Sequence, residues 1–132
     1  MNLDKIVPNL MVEDVRQTLN YYHGVLAFET INTVPDPNSE NDLVRATVKK
    51  GNVEISFQAE DSLKAELPEL RHDEPSGGFT LVIRMTGVDE YYQYLLQSAD
   101  IVDQMKETFM GMKQFTIRDV DGYYLTFAEP IG

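Results

Sequence analysis

The chain has 132 residues, 42% hydrophobic and 25% charged, with no cysteine and with 22 acidic against 11 basic side chains for a net charge of −11. That length and composition suit one globular domain with a buried core. The missing cysteines exclude disulfides, thiolate metal sites, iron–sulfur clusters and cysteine nucleophiles, and the negative charge repels a polyanion, so no nucleic-acid partner is expected.

The opening stretch, MNLDKIVPNLMVEDV, has no basic region leading into an apolar core, and no apolar run approaches the ~20 residues of a membrane span. A cytoplasmic protein with no membrane partner is the expectation. Residues 5–11 read as a strand, with Pro8 marking an edge or an irregularity. A helix follows Glu13 and Asp14, with Val15, Leu19 and Tyr22 on one face and Gly24 able to end it. Residues 26–34 form a second strand, PDPNSEND a loop, and 43–49 and 52–58 two strands joined by a tight turn at Lys50-Gly51-Asn52. Residues 60–77 are an acidic connector with six carboxylates, two prolines and a short helical pattern, LKAELPEL.

The same order then returns. Residues 79–86 form a strand and 88–98 a helix with Val88, Tyr92 and Leu95 on one face. Strands follow near 101–108, 113–118 and 123–128, with Asp121-Gly122 in the last turn. The predicted fold class is α+β: two βαβββ modules, 1–59 and 78–132, separated by the connector 60–77 within a single domain of 1–132. A four-stranded unit with one helix is small for a core of its own. Two such units side by side leave a mixed-sheet cleft.

Three stretches carry a resemblance. VEDVRQTLNYYHGVLAFE (12–29) and GVDEYYQYLLQSADIV (87–102) look like the first and second module helices of the glyoxalase/bleomycin-resistance/dioxygenase, or vicinal oxygen chelate, superfamily. GMKQFTIRDVDGYYLTFAEP (111–130) resembles its closing hairpin, with Val120 in place of a proline. The resemblance covers nearly the whole chain.

Enzymes of that family hold a divalent cation with His or Glu from four strands. Carried over one by one, the ligand positions fall on Val7, Ser56, Thr80 and Thr126. Valine has no lone pair, and neutral hydroxyls bind such ions weakly. No metal, cofactor or catalytic residue is therefore expected, although a register one residue off would bring Glu54 or Glu129 nearer. His23 and His72, the two histidines, read as capping or solvated.

Strand alternation assigns the cleft face. It carries Asn9, Met11, Glu54, Ser56, Gln58, Thr80, Arg84, Tyr124 and Thr126 as the expected ligand-binding residues. Glu54 and Arg84 are the charges expected there, either orienting a zwitterionic ligand or pairing with each other. By resemblance the chain is expected to be a homodimer that binds a small molecule, of the bleomycin-resistance kind, sequestering a cationic or zwitterionic compound. The alternatives are a divergent glyoxalase-like lyase or isomerase with an unusual or absent metal site, and an interaction module with no ligand.

Overall fold

A computed structural model describes residues 1–76 and 78–132. It contains two compact units, one made of residues 1–76 and the other of the rest of the chain. The residues of the acidic connector up to Ser76 group with the first unit, and Gly77, the expected end of that connector, lies outside the described residues.

The first unit runs β1 (Asn9–Val12), α1 (Val15–Gly24), β2 (Glu29–Pro35), β3 (Leu43–Lys50), β4 (Val53–Ala59), α2 (Glu60–Glu66) and a 3-10 turn at Pro68–Leu70. Its sheet has the order β1-β4-β3-β2, with β1 parallel to β4 and the other pairs antiparallel. Helix α1 starts where the Asp14 carboxylate accepts the Gln17 amide at 3.2 Å, satisfying one of the free N–H groups of the first turn. Val15, Thr18, Leu19 and Tyr22 then fall on one face and are buried. Tyr22 packs on Phe57 of β4 with ring centroids 4.7 Å apart and on Phe28 at 5.6 Å. Each large side chain buried this way contributes about 1.5–3 kcal/mol.

The second unit runs β5 (Thr80–Arg84), α3 (Val88–Leu95), β6 (Asp100–Glu107), β7 (Met112–Arg118) and β8 (Tyr124–Pro130), in the order β5-β8-β7-β6. Again the first and last strands are parallel neighbours. Phe115, Ile117, Leu125 and Phe127 are buried beneath α3, where Tyr91 meets Phe127 edge-on at 5.0 Å. Helix α3 begins at Gly87 without a side-chain cap of its own (φ +79°). The Glu129 carboxylate, from β8, accepts the Val88 amide at 3.0 Å and takes the place of a local cap.

The α+β architecture of two βαβββ units is the one expected, with differences at element ends. The first strand covers Asn9–Val12 instead of 5–11, and Ile6, within the expected strand, is 89% exposed. Pro8 has no N–H to donate, so before Asn9 the ladder keeps only the Pro8 carbonyl, which accepts the Ser56 amide at 2.8 Å. The second strand begins at Glu29 because Ala27, at φ +62°, turns the chain after α1. Helix α3 stops at Leu95, three residues early, and its buried tyrosine is Tyr91; Tyr92 is half-buried against Phe115. Among the described residues, no helix is long and apolar enough to cross a membrane.

Candidate functional site

In each unit one sheet face packs under α1 or α3; the other, the open face, is free of those helices, although Met11, Ser56, Gln58, Thr126 and Ala128 on it are buried and α2 docks beside it in the first unit. In the first unit the register pairs Leu10 with Phe57 and Ala46 with Phe57 on the helix side. On the open side Asn9 lies beside Ser56 and Met11 beside Gln58, with Glu54 further along β4. The open face also takes in residues of β3 and β2 that strand-by-strand reading left out. Arg45 lies opposite Gln58, Thr47 opposite Ser56, and Lys49 opposite Glu54. Across the other edge of β3, Val34 faces Arg45, Asn32 faces Thr47, and Glu29 faces Lys49.

Gln58, only 2% exposed, is the structural centre of this face. Its carbonyl oxygen accepts from Asn9 Nδ2 at 2.9 Å, while its amide donates to Ser62 Oγ at 3.0 Å and Glu66 Oε2 at 3.1 Å. The side chain thereby ties helix α2 to the strands. Ser56 is buried too, and its hydroxyl donates to the Ala46 carbonyl at 3.2 Å. Asn9 Oδ1 is buried, and no partner among the described residues reaches it.

Glu54 pairs with Lys5 of the same unit at 2.5 Å. The hydrogen bond and charge of Lys5, helped by Lys49, hold the Glu54 carboxyl below the ordinary glutamate range, and the same bond raises the Lys5 amine. Glu54 is not one of only two charges on the predicted face, since Arg45, Lys49 and Glu29 share it.

In the second unit Thr80, Val82 and Arg84 of β5 lie beside Tyr124, Thr126 and Ala128 of β8 on the open side. Thr80 and Arg84 are exposed, and Tyr124 is half-buried. Thr126 is 8% exposed, and its hydroxyl lies 2.7 Å from that of Thr116 on β7. Glu129 points to the helix side, where it caps α3, which removes it from the candidate ligand set. His23 Nδ1 donates to the Phe28 carbonyl at 3.0 Å, closing the turn after α1.

These contacts test whether a divalent cation suits the four positions that the resemblance assigns to it. Val7 offers no donor atom, the Ser56 and Thr126 hydroxyls are committed to Ala46 and Thr116, and Thr80 contributes one neutral hydroxyl. Among the described residues no group of three or more His, Asp or Glu side chains is placed to hold a metal. The donor set does not fit a divalent ion.

A cavity of about 920 Å³ lies elsewhere in the first unit, at the strand ends between the start of α1, the start of α2 and the loop 36–42. None of the nine predicted residues lines it. Its wall is acidic, but Asp14, Asp36, Asp42 and Glu60 are spent on Gln17 N, Asn38 N, Ser39 Oγ and Lys64 Nζ. These carboxylates order turns and helix starts.

A family model, the glyoxalase/bleomycin resistance protein/dioxygenase superfamily, matches residues 2–127. No curated protein matches the chain by sequence. Solved structures match over nearly the full length of both chains. TioX from Micromonospora sp. ML1 is 19% identical with a TM-score of 0.72, covering 98% of this chain and 100% of its own. A glyoxalase-related enzyme from Clostridium phytofermentans is 15% identical with a TM-score of 0.79, covering 99% and 98%. A bleomycin-binding protein from Streptomyces verticillus, solved with copper(II)-bleomycin, is 18% identical with a TM-score of 0.65, covering 100% and 98%. At such identities the likeness is one of fold.

Proposed function

Because the chain belongs to the glyoxalase/bleomycin resistance protein/dioxygenase superfamily, we propose that it is a small-molecule-binding protein whose ligand is held by side chains alone, without a metal ion. One observation carries this reading. The positions where a family enzyme would present imidazole and carboxylate donors carry Val7, Ser56, Thr80 and Thr126, with two of the hydroxyls already hydrogen-bonded. The same open faces keep neutral hydrogen-bonding groups beside apolar surface, the mixture that suits an organic ligand.

The proposed contact residues are Asn9 and Glu54 in the first unit and Thr80, Arg84 and Tyr124 in the second, with the buried Met11 and Thr126 beneath them. Ser56 and Gln58 shape the first surface from beneath, since both are buried and bonded internally. The ligand class is a cationic or zwitterionic compound. The net charge of −11 favours its approach, and the bleomycin-binding relative supplies a precedent within the same fold. The working form is a homodimer. Val82 on β5, an edge strand of its own sheet, is 68% exposed and offers apolar surface for a second chain to cover.

Thermal unfolding tests the reading. A ligand that binds only the folded chain at 100 times its Kd adds about 2.7 kcal/mol and raises the melting temperature. Cationic antibiotics and zwitterionic metabolites are expected to include stabilising compounds, while nickel, zinc and manganese give no shift, and light scattering gives twice the mass of one chain. Zinc, nickel, iron or manganese retained stoichiometrically after dialysis would overturn the metal-free reading. A panel of organic compounds without a single shift would overturn the binding function.

A further inference from the structure

The positive charges on the open face of the first unit are not equivalent. Strand β3 presents Arg45, Thr47 and Lys49 there in a row. Lys49 lies between two carboxylates, Glu29 on β2 and Glu54 on β4. Arg45 lies between Val34 on β2 and Gln58 on β4, neither of which carries charge. No ion pair or hydrogen bond joins Arg45 to any described residue, although acidic groups outnumber basic ones 22 to 11. The carboxylate that comes to this end of the face, Glu66, is taken by Gln58. Arg45 is also half-buried, and no described residue bonds its guanidinium.

A guanidinium without an internal partner is suited to holding an anionic group. Its planar fork of N–H donors matches the two oxygens of a carboxylate, and an always-charged arginine holds such a group at any working pH. Thr47 and, across the strand, Asn32 add neutral donors on the same face beside it. We propose that Arg45 is the recognition group for a carboxylate on the ligand, with Thr47 and Asn32 as its flanking donors. This deepens the binding function proposed above and rests on it: the ligand is a carboxylate-bearing zwitterion and not a simple cation.

The side-chain Nε–H resonances of the five arginines, observed by NMR on the full chain in 0.15 M chloride, provide the test. The probes are benzoate and its neutral counterpart benzamide. The Arg45 resonance, identified by its loss in Arg45→Lys, is expected to shift saturably with benzoate and to stay still with benzamide. Arg16 and Arg71, which bond to backbone carbonyls, are expected to move at least tenfold less. Arg45→Gln is expected to abolish benzoate binding. Arg45→Lys, which keeps the charge and loses the fork, is expected to weaken it at least tenfold. An unmoved Arg45 resonance, equal shifts at Arg16 and Arg71, or wild-type affinity in Arg45→Lys would each overturn the proposal. The wild-type spectrum decides even if Arg45→Gln does not fold. A zwitterion that stabilises wild type and Arg45→Gln equally would sink this assignment and leave the binding function standing. The reverse pattern, benzoate saturating Arg45 while no larger organic compound shifts the melting temperature, would sink the function alone.

Discussion

Replacing Gln58 with leucine keeps the side-chain volume near constant and removes every polar atom beyond the backbone. Three hydrogen bonds go with it: the acceptance from Asn9 at 2.9 Å and the donations to Ser62 and Glu66 at 3.0 and 3.1 Å. A net bond of this kind is worth about 0.5–1.5 kcal/mol, and Ser62 and Glu66 can turn to water when released. The half-buried Asn9 amide has less recourse, because its oxygen already has no partner among the described residues. The sum is about 2–3 kcal/mol. The two bonds to α2, about 1–2 kcal/mol of that sum, fall on the docking of the helix, which Gln58 holds against the strands. At about 1.4 kcal/mol per tenfold change, amide exchange in α2 accelerates roughly 5- to 30-fold. The Leu67 amide, bonded to the Leu63 carbonyl at 2.8 Å, is a convenient reporter. Hydrogen exchange read by mass spectrometry or NMR makes the comparison, with the β7 amides of the second unit as the internal reference. If α2 in Gln58→Leu keeps wild-type protection, Gln58 is not what fastens the helix, and its place at the centre of the open face needs another explanation.

Two other outcomes follow from the packing and the charges. Phe115→Ala removes a ring with no solvent exposure that touches Tyr91, Tyr92 and Phe127, so it should cost about 3–5 kcal/mol in urea unfolding followed by circular dichroism. The Lys5–Glu54 pair gives a pH dependence of known sign. The Glu54 carboxyl titrates below its ordinary range when folded, so its contribution to stability is present at neutral pH and is lost as pH falls from that range through the depressed value. Lys5→Ala should move the Glu54 carboxyl carbon titration midpoint upward in NMR; an unchanged midpoint would show that the pair does not form in solution.

The repeat of one helix and four strands was legible because its markers are local. Alternating apolar residues, Gly51 and Gly122 in the turns, and the apolar stripe of α1 each act over a few residues. Strand ends were less legible. Nothing in the pattern KIVPNLM says that the ladder must wait for Asn9, and the turn at Ala27 uses a non-glycine residue at positive φ. At the candidate site, alternation placed Asn9, Ser56 and Thr126 on the open faces, and the same rule applied to β3 would have added Arg45. The bulge between Thr30 and Asn32 hides the corresponding row of β2. Which side chains would be consumed internally was beyond local pattern. The partners of Gln58 lie four and eight residues ahead of it and, at Asn9, 49 residues behind it, and the Glu129 cap reaches 41 residues back along the chain.

That long-range cap has a consequence for synthesis. The first amide of α3 finds its acceptor only when Glu129 arrives, and β5 finds its parallel neighbour only when β8 arrives. While the ribosome is still adding β6 and β7, the helix has no local substitute at Gly87 and the opening strand has an empty side. The earlier unit closes its equivalent pair, β1 with β4, by Ala59. A nascent chain stalled before β8 would therefore carry a first unit with its strand pairing complete and a second unit lacking both its helix cap and the neighbour of β5, a state prone to aggregation.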